Sequence, residues 1–421
     1  MIQRILPAAL SAALSAALPA SLLACAAALL PGVAGAAERL TVTVTHDLDA
    51  ARPSETIVVP WKDVNAALPG ALVQRLVVKD AAGRVLPYQV TNVAPLAKDP
   101  KGVGAAYGEL LFQHDFAPGE RAATFVVEKS DALTPPFAPK AFARYVPERL
   151  DDFAWENDLV GHRTYGPALA APAPPGSGKE VLETSGLDIW FKRVDYPIVD
   201  RWYNKGHDHY HKDEGEGMDM YNVGRSRGAG GTGVWDGTRL YTSRNYATWK
   251  VLANGPIRAV FELTYDAWDA AGTAVTETKR VTVDAGHQLD QIDSTFTFAG
   301  PDALTVAVGL NRTPSDKKQE PRIALVRDEA HHALLQWVEQ ASNGAFGTAI
   351  VLPAATGYAQ DPLNDLVLAR VASGQPLRYW VGAAWDRAGR IASQAAWQTY
   401  VAAAAARAAH PVRIELRSTP R

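Results

Sequence analysis

Between residues 40 and 45 apolar and polar side chains alternate strictly, the period of a strand with one buried face. The strand-like runs 75–79 and 84–90 flank Asp80-Ala81-Ala82-Gly83, and the runs 109–114 and 123–127 flank Ala117-Pro118-Gly119-Glu120. Both arrangements predict hairpins. Residues 38–143 are therefore expected to form an N-terminal β-sandwich-like region, with the proline-bearing stretch 130–140 as its linker. Further on, runs 188–194, 257–267, 275–284 and 289–298 are rich in β-branched and aromatic residues, and Asp269-Ala270-Ala271-Gly272 suits a hairpin turn. One late stretch, 393–409, reads as a helix. An all-β fold follows, with a large antiparallel sandwich over residues 144–421.

The first 36 residues carry a different pattern. No charge occurs between Arg4 and Glu38, and the interval is Ala- and Leu-rich, ending in Ala34-Gly35-Ala36. That pattern is a secretory signal peptide and predicts a periplasmic or secreted protein. Leu22-Leu23-Ala24-Cys25 offers the alternative of a lipoprotein anchored through Cys25. No later stretch is long and apolar enough to be an integral membrane segment.

Composition narrows the classes. With 47% hydrophobic residues the chain can bury a core, so disorder is excluded. Forty-two basic against 45 acidic side chains give a net charge of -3, which removes the electrostatic case for a nucleic-acid partner. A single cysteine excludes a disulfide framework.

The densest polar segment is 201–233. In an extended chain His207, His209 and His211 would share one face, and three neutral imidazoles so placed suit a divalent metal, with nearby carboxylates completing the shell. An acid–base role without metal, or a solvated loop, explains the same residues, and Lys205 and Lys212 count against the metal. Seven glycines between 215 and 233 allow a backbone to approach a ligand closely. Arg225 and Arg227, two apart, would project together, and guanidinium forks match carboxylates. A second cluster holds Trp155, suited either to stacking a sugar or to filling a core, and Arg163, suited to pairing with a carboxylate.

Several phrases together resemble a known family: Trp155-Glu156-Asn157-Asp158, Arg163-x-Tyr165-Gly166-Pro167, Ser185-Gly186-Leu187-Asp188-Ile189-Trp190, Tyr210-His211-Lys212-Asp213, Gly215-Glu216-Gly217-Met218-Asp219, Gly224-Arg225-Ser226-Arg227-Gly228-Ala229-Gly230, Asn254-Gly255-Pro256-Ile257-Arg258 and Gly382-Ala383-Ala384-Trp385-Asp386. The family is one of secreted bacterial proteins labelled as a domain of unknown function and found beside polysaccharide-degrading enzymes. Its members look related to a dehydratase acting on ulvan oligosaccharides. The resemblance implies a mutarotase- or lyase-like β-supersandwich and an acidic oligosaccharide as partner. Elimination of water from a terminal uronic acid needs a base, an acid and a neutralised carboxylate. On that reading His211 and Tyr210 are the acid and base, with His209 in reserve. Arg163 and Arg225 neutralise the carboxylate, and Trp155, Asn157, Glu216, Asp219 and Arg227 contact substrate. A glycoside hydrolase using Glu216 with Asp188 or Asp219, or a non-catalytic sugar-binding protein working through tryptophans, are the competing readings.

Overall fold

The alternation near the N-terminus does what a period of two requires: Leu40, Val42 and Val44 are buried while the residues between them are not. Their strand, Arg39–Thr45, lies inside a five-stranded sheet. It pairs antiparallel with Ala122–Lys129 on one edge and with the last strand, Arg413–Thr419, on the other. A three-stranded sheet of Arg52–Pro60, Glu109–Phe116 and Tyr88–Thr91 shares its apolar cluster, which includes Val42, Ile57, Phe112 and Phe125. These positions come from a computed structural model that describes residues 39–92 and 108–419. The leader expected over residues 1–36, with Cys25, lies outside the described residues.

The rest of the chain builds three antiparallel sheets around a second, larger apolar cluster. The widest has eight strands, in the spatial order Thr248–Ala253, Arg258–Ala270, Thr273–Asp284, Leu289–Phe298, Pro376–Trp385, Ala345–Val351, Ala333–Glu339 and Arg322–Asp328. A five-stranded sheet centred on Leu304–Asn311 and another centred on Val160–Thr164 complete it. The fold is all-β, as the strand pattern predicts. The expected turn at 269–272 joins two long strands, with Ala271 and Gly272 at positive φ and Asp269 accepting from the Gly272 amide at 3.0 Å. Among the described residues no helix is long and apolar enough to cross a membrane.

Two joints hold the architecture. Gln89, from the N-terminal sheets, accepts from the amides of Ile257 and Arg258 and donates to the Arg258 carbonyl. Gly255 is needed there, since a Cβ would stand 2.4 Å from the Gln89 side chain. The late helix, expected over 393–409, runs from Gln394 to Ala409, with Ser393 as its N-cap accepting from the Ala396 amide. It buries Trp397 against the eight-stranded sheet, where the indole donates to the Thr348 carbonyl at 3.2 Å.

Gly347 makes room for that indole: a Cβ there would lie 2.5 Å from Trp397 Cδ1. Gly347→Ala therefore overpacks the joint and is expected to cost about 1–3 kcal/mol. Urea unfolding measures it, and an unchanged midpoint would show that the helix yields without strain.

Candidate active site

The centre of the site is a sheet in the order Gly217–Asp219, Leu187–Lys192, Val160–Thr164, Asp152–Glu156 and Phe142–Val146. Its register places Arg163 directly opposite Asp188, and Trp190 opposite Asp219. Side chains alternate across a sheet, so Arg163, Asp188, Trp190, Asp219 and Asp152 share one face. Phe153, Trp155, Ile189 and Phe191 share the other and enter the large core. Arg163 Nη2 donates to Asp188 Oδ2 at 2.5 Å and to Asp219 Oδ2 at 2.9 Å, while Nη1 lies 3.6 Å from Asp152 Oδ2. All four groups are buried. Burial, opposed by Arg163, pushes the Asp152 carboxyl up to about 6. Burial and then the Asp188 charge hold Asp219 well above the usual carboxylate range.

This face cannot meet water with Trp190 on it, and a helical cap covers it. Val199–Lys205 and the turn His207–Tyr210 bury Trp202, Tyr203 and Tyr210 against Trp190, with ring centroids 4.9–5.2 Å away. The cap revises the expected extended strand at 207–211. Gly206 at φ 96 ends one helical piece and opens the next. On a helix residues four apart are neighbours, so His207 and His211 face each other with Nε2 atoms 3.3 Å apart. His209 turns away to Glu214, with Nδ1 2.8 Å from Oε2. The three imidazoles do not converge, and among the described residues no three His, Cys, Asp or Glu side chains are grouped to hold a metal ion.

His211 borders a cleft of about 730 Å³, together with Asp219, Tyr221, Ser315, Lys317, Gln340 and Asn343 among others. Its Nδ1 lies 3.0 Å from the Asp219 carbonyl oxygen, which can only accept. Nδ1 therefore carries hydrogen, and Nε2 is the basic atom. Burial chiefly lowers the His211 pKa, and the His207 and Arg163 charges add to this against the pull of the Asp219 carbonyl. The opposite wall is braced: Gln340 donates to Ser315 Oγ at 2.6 Å, and Ser342 to Gln319 at 2.7 Å. Lys317 is exposed at this cleft and has no ion partner among the described residues. No sequence signal singled out Lys317, Tyr221, Gln340 or Asn343, because their spacing along the chain is unrelated to that of the histidines.

Several expected site residues serve the scaffold instead. Trp155 is buried, stacks on His162 and donates to Asp290 Oδ2 at 2.8 Å, so no sugar reaches it. Asn157 donates to the carbonyls of Asp284 and His287, each at 2.7 Å. Its neighbour Glu156 pairs with Lys192 at 2.6 Å and accepts from the amides of Ile198 and Val199, fixing the start of the cap. Tyr210 is buried with its hydroxyl 3.4 Å from Arg163 Nη1, behind the cleft rather than in it. Arg163 is fully engaged by aspartates and is not free for a substrate carboxylate.

Glu216 accepts from Tyr196 at 2.8 Å and from Arg201 Nε at 2.9 Å. These bonds overcome burial and carry its carboxyl down to about 2. Arg225 is exposed and is not among the residues described as bordering the cleft. Arg227 points elsewhere, buried and donating to Ser185 Oγ at 2.7 Å. Residues 224–228 spell Gly-x-Ser-x-Gly, but Ser226 is buried and donates to the Val223 carbonyl at 2.6 Å, locking a turn. The glycines there let strands approach one another rather than a ligand. Gly217 has φ 126, and a Cβ on it would lie 2.0 Å from the Phe191 carbonyl oxygen.

Fold and site together define an all-β protein of several antiparallel sheets with a polar, imidazole-bearing cleft at the edge of one. The chain belongs to the family described as a domain of unknown function, DUF4861, whose model matches residues 44–414. It is 30% identical over 378 residues to "Uncharacterized protein P7" of Formosa agariphila, covering 86% of this chain and 90% of that one. Among solved structures, an alpha-mannosidase from Enterococcus faecalis V583 aligns over 91% of this chain and 46% of its own, at 10% identity and a TM-score of 0.46. A glycosyl hydrolase family 38 protein from Enterococcus faecalis aligns over 90% and 47%, at 10% identity and a TM-score of 0.42. The chain spans just under half the length of these two structures.

The Trp155 site carries a pH signature. Burial raises the Asp290 carboxyl to about 8 and lowers His162 to about 3, so the pair is neutral near pH 7. A carboxyl whose folded pKa is raised binds its proton more tightly in the folded state than in the unfolded one. Its contribution is complete at acid pH and is lost as the pH rises from about 4 towards about 8. Asp290→Asn is expected to flatten that decline in urea unfolding. Equal pH slopes in variant and wild type would refute it.

Proposed function

We propose that this protein is a carbohydrate-active carbon–oxygen lyase, a dehydratase removing water from the non-reducing terminal uronic acid of an acidic oligosaccharide. The observation that carries the reading is His211: an imidazole with Nδ1 locked on a backbone carbonyl and its basic Nε2 3.3 Å from His207 Nε2, bordering a large cleft. An imidazole of this kind is matched to proton transfer near neutral pH. The resemblance of the motifs to the ulvan oligosaccharide dehydratase supports the choice of reaction. The leader reading of residues 1–36 agrees with a substrate met outside the cytoplasm.

In the proposed reaction His211 Nε2 takes the proton from C5 of the uronate. The C5–H electrons form the C4–C5 double bond as the C4–O bond breaks. His211 returns the proton to the departing hydroxyl, which leaves as water, so the imidazole ends as it began. Negative charge gathers on the carboxylate during the step and must be neutralised. With Arg163 engaged and Arg225 away from the cleft, we assign that task to Lys317, whose ammonium forms no ion pair among the described residues. Ser315, Gln340 and Asn343 offer hydrogen bonds to sugar hydroxyls. Asp219 fixes the imidazole through its carbonyl, and Arg163 fixes Asp219.

The mature protein incubated with oligosaccharides ending in glucuronic or iduronic acid is expected to develop the ultraviolet absorbance of a conjugated alkene and to lose one water by mass. Release of a saturated monosaccharide would instead mark a hydrolase. His211→Ala should lower kcat by roughly 10²–10⁴-fold. Lys317→Met should lower kcat/KM by roughly 10–100-fold, the worth of a charged hydrogen bond, with Lys317→Arg retaining most of the activity. Wild-type kinetics in Lys317→Met would remove Lys317 from the site.

A further inference from the structure

His207 lies outside the cleft lining, yet its position against His211 is specific. The Asp219 carbonyl can only accept, so His211 holds hydrogen on Nδ1 and a lone pair on Nε2. That lone pair points at His207 Nε2, 3.3 Å away. Unless a hydrogen lies between the two nitrogens, lone pair meets lone pair. On its far side His207 Nδ1 lies 3.3 Å from Asp208 Oδ1, which also calls for a hydrogen. An imidazolium at His207 satisfies both contacts at once. Side-chain exposure rises along this line, from 40% at His211 to 56% at His207 and 99% at Asp208, so the line runs from the cleft edge to solvent.

We infer that His207 and His211 act as one acid–base couple, a single proton lying along the line between their Nε2 atoms and passing through His207 to and from solvent. Its catalytic use rests on the elimination reading. There, the couple first gives its shared proton to solvent through His207; the proton taken from C5 by His211 Nε2 then takes the vacated place between the two rings, and the couple supplies that proton to the departing hydroxyl. Proton uptake and delivery cancel, so no other co-reactant is needed. His207 is a positioning residue in this scheme, since it acts on substrate only through His211.

The groups around the couple are few. Asp208 and Tyr210 come from its own turn, with the Tyr210 ring centroid 5.5 Å from that of His207 and 4.8 Å from that of His211. Asp219 Oδ2 lies 3.8 Å from His211 Nδ1, and Arg163 and Asp188 act on His211 from the sheet behind. Asp316 and Lys317 border the same cleft from the facing wall.

The experiment needs no substrate in its first arm. Imidazole resonances of His207 and His211 are followed against pH in the mature protein and in His207→Gln. The wild-type pair is expected to titrate in two steps separated by about one pH unit or more, as strongly coupled groups do. In His207→Gln the His211 midpoint should move up and its curve become a single step. Identical His211 curves in both proteins would overturn the couple. In the second arm, His207→Gln should lower kcat on a uronyl substrate by about tenfold or more with KM unchanged, and free imidazole in the buffer should restore the rate. An unaltered kcat would also overturn the couple while leaving the elimination intact. Coupled titration without turnover of any uronyl substrate would support the couple and remove the elimination.

Discussion

A single guanidinium, Arg163, holds three buried carboxylates that would otherwise repel one another and drive the sheet apart. Asp152, Asp188 and Asp219 come from three different strands, and this side chain is a partner common to all three. Removing one member of a buried charged cluster leaves an uncompensated charge in a low dielectric, typically a cost of about 3–5 kcal/mol. The arrangement does more than hold strands. Asp219, anchored by Arg163, presents its carbonyl to His211, so the tautomer of the exposed imidazole depends on a buried cation it does not touch.

The helical cap is the second dependency. Trp190 on the sheet would be wet without Trp202, Tyr203 and Tyr210, and the cap in turn is fixed by Glu156 at its start and by Gly206 at its break. Because the break sits at Gly206, the following turn carries His207 and His211 on one side. The aromatic packing that protects the sheet thus also pairs the imidazoles. Residues of the family-like phrases serve this scaffold: Glu156 and Asn157 satisfy backbone groups, and Gly217 makes room for the Phe191 backbone.

The cleft combines elements distant in sequence. One wall is the strand end near Asp219; the other is the 313–319 loop, tied to residues 340–343 by side-chain hydrogen bonds. Amide and hydroxyl side chains line much of it, with the carboxylates of Asp219 and Asp316, the Lys317 ammonium, the His211 imidazole and two methionines among them.

How much was legible in the sequence follows the range of the interaction responsible. Alternation at 40–45, the Asp–Gly turns at 80–83 and 269–272 and the helical run 393–409 are decided by neighbours a few residues apart, and the all-β fold with its late helix was readable from them. The segment 201–233 was likewise recognisable as the densest polar stretch of the chain. Its conformation was not: histidines at 207, 209 and 211 fit a strand and a helical turn equally well locally, and burial of Tyr210 on Trp190 chose the turn. The same long-range packing moved Trp155, Asn157, Arg163 and Arg227 from the surface to the interior and brought Lys317 to His211's cleft. Sequence alone determined which residue types were available and which short elements they form. Tertiary structure alone decided which charges meet, because a pairing across strands depends on register and burial, neither of which is a local property.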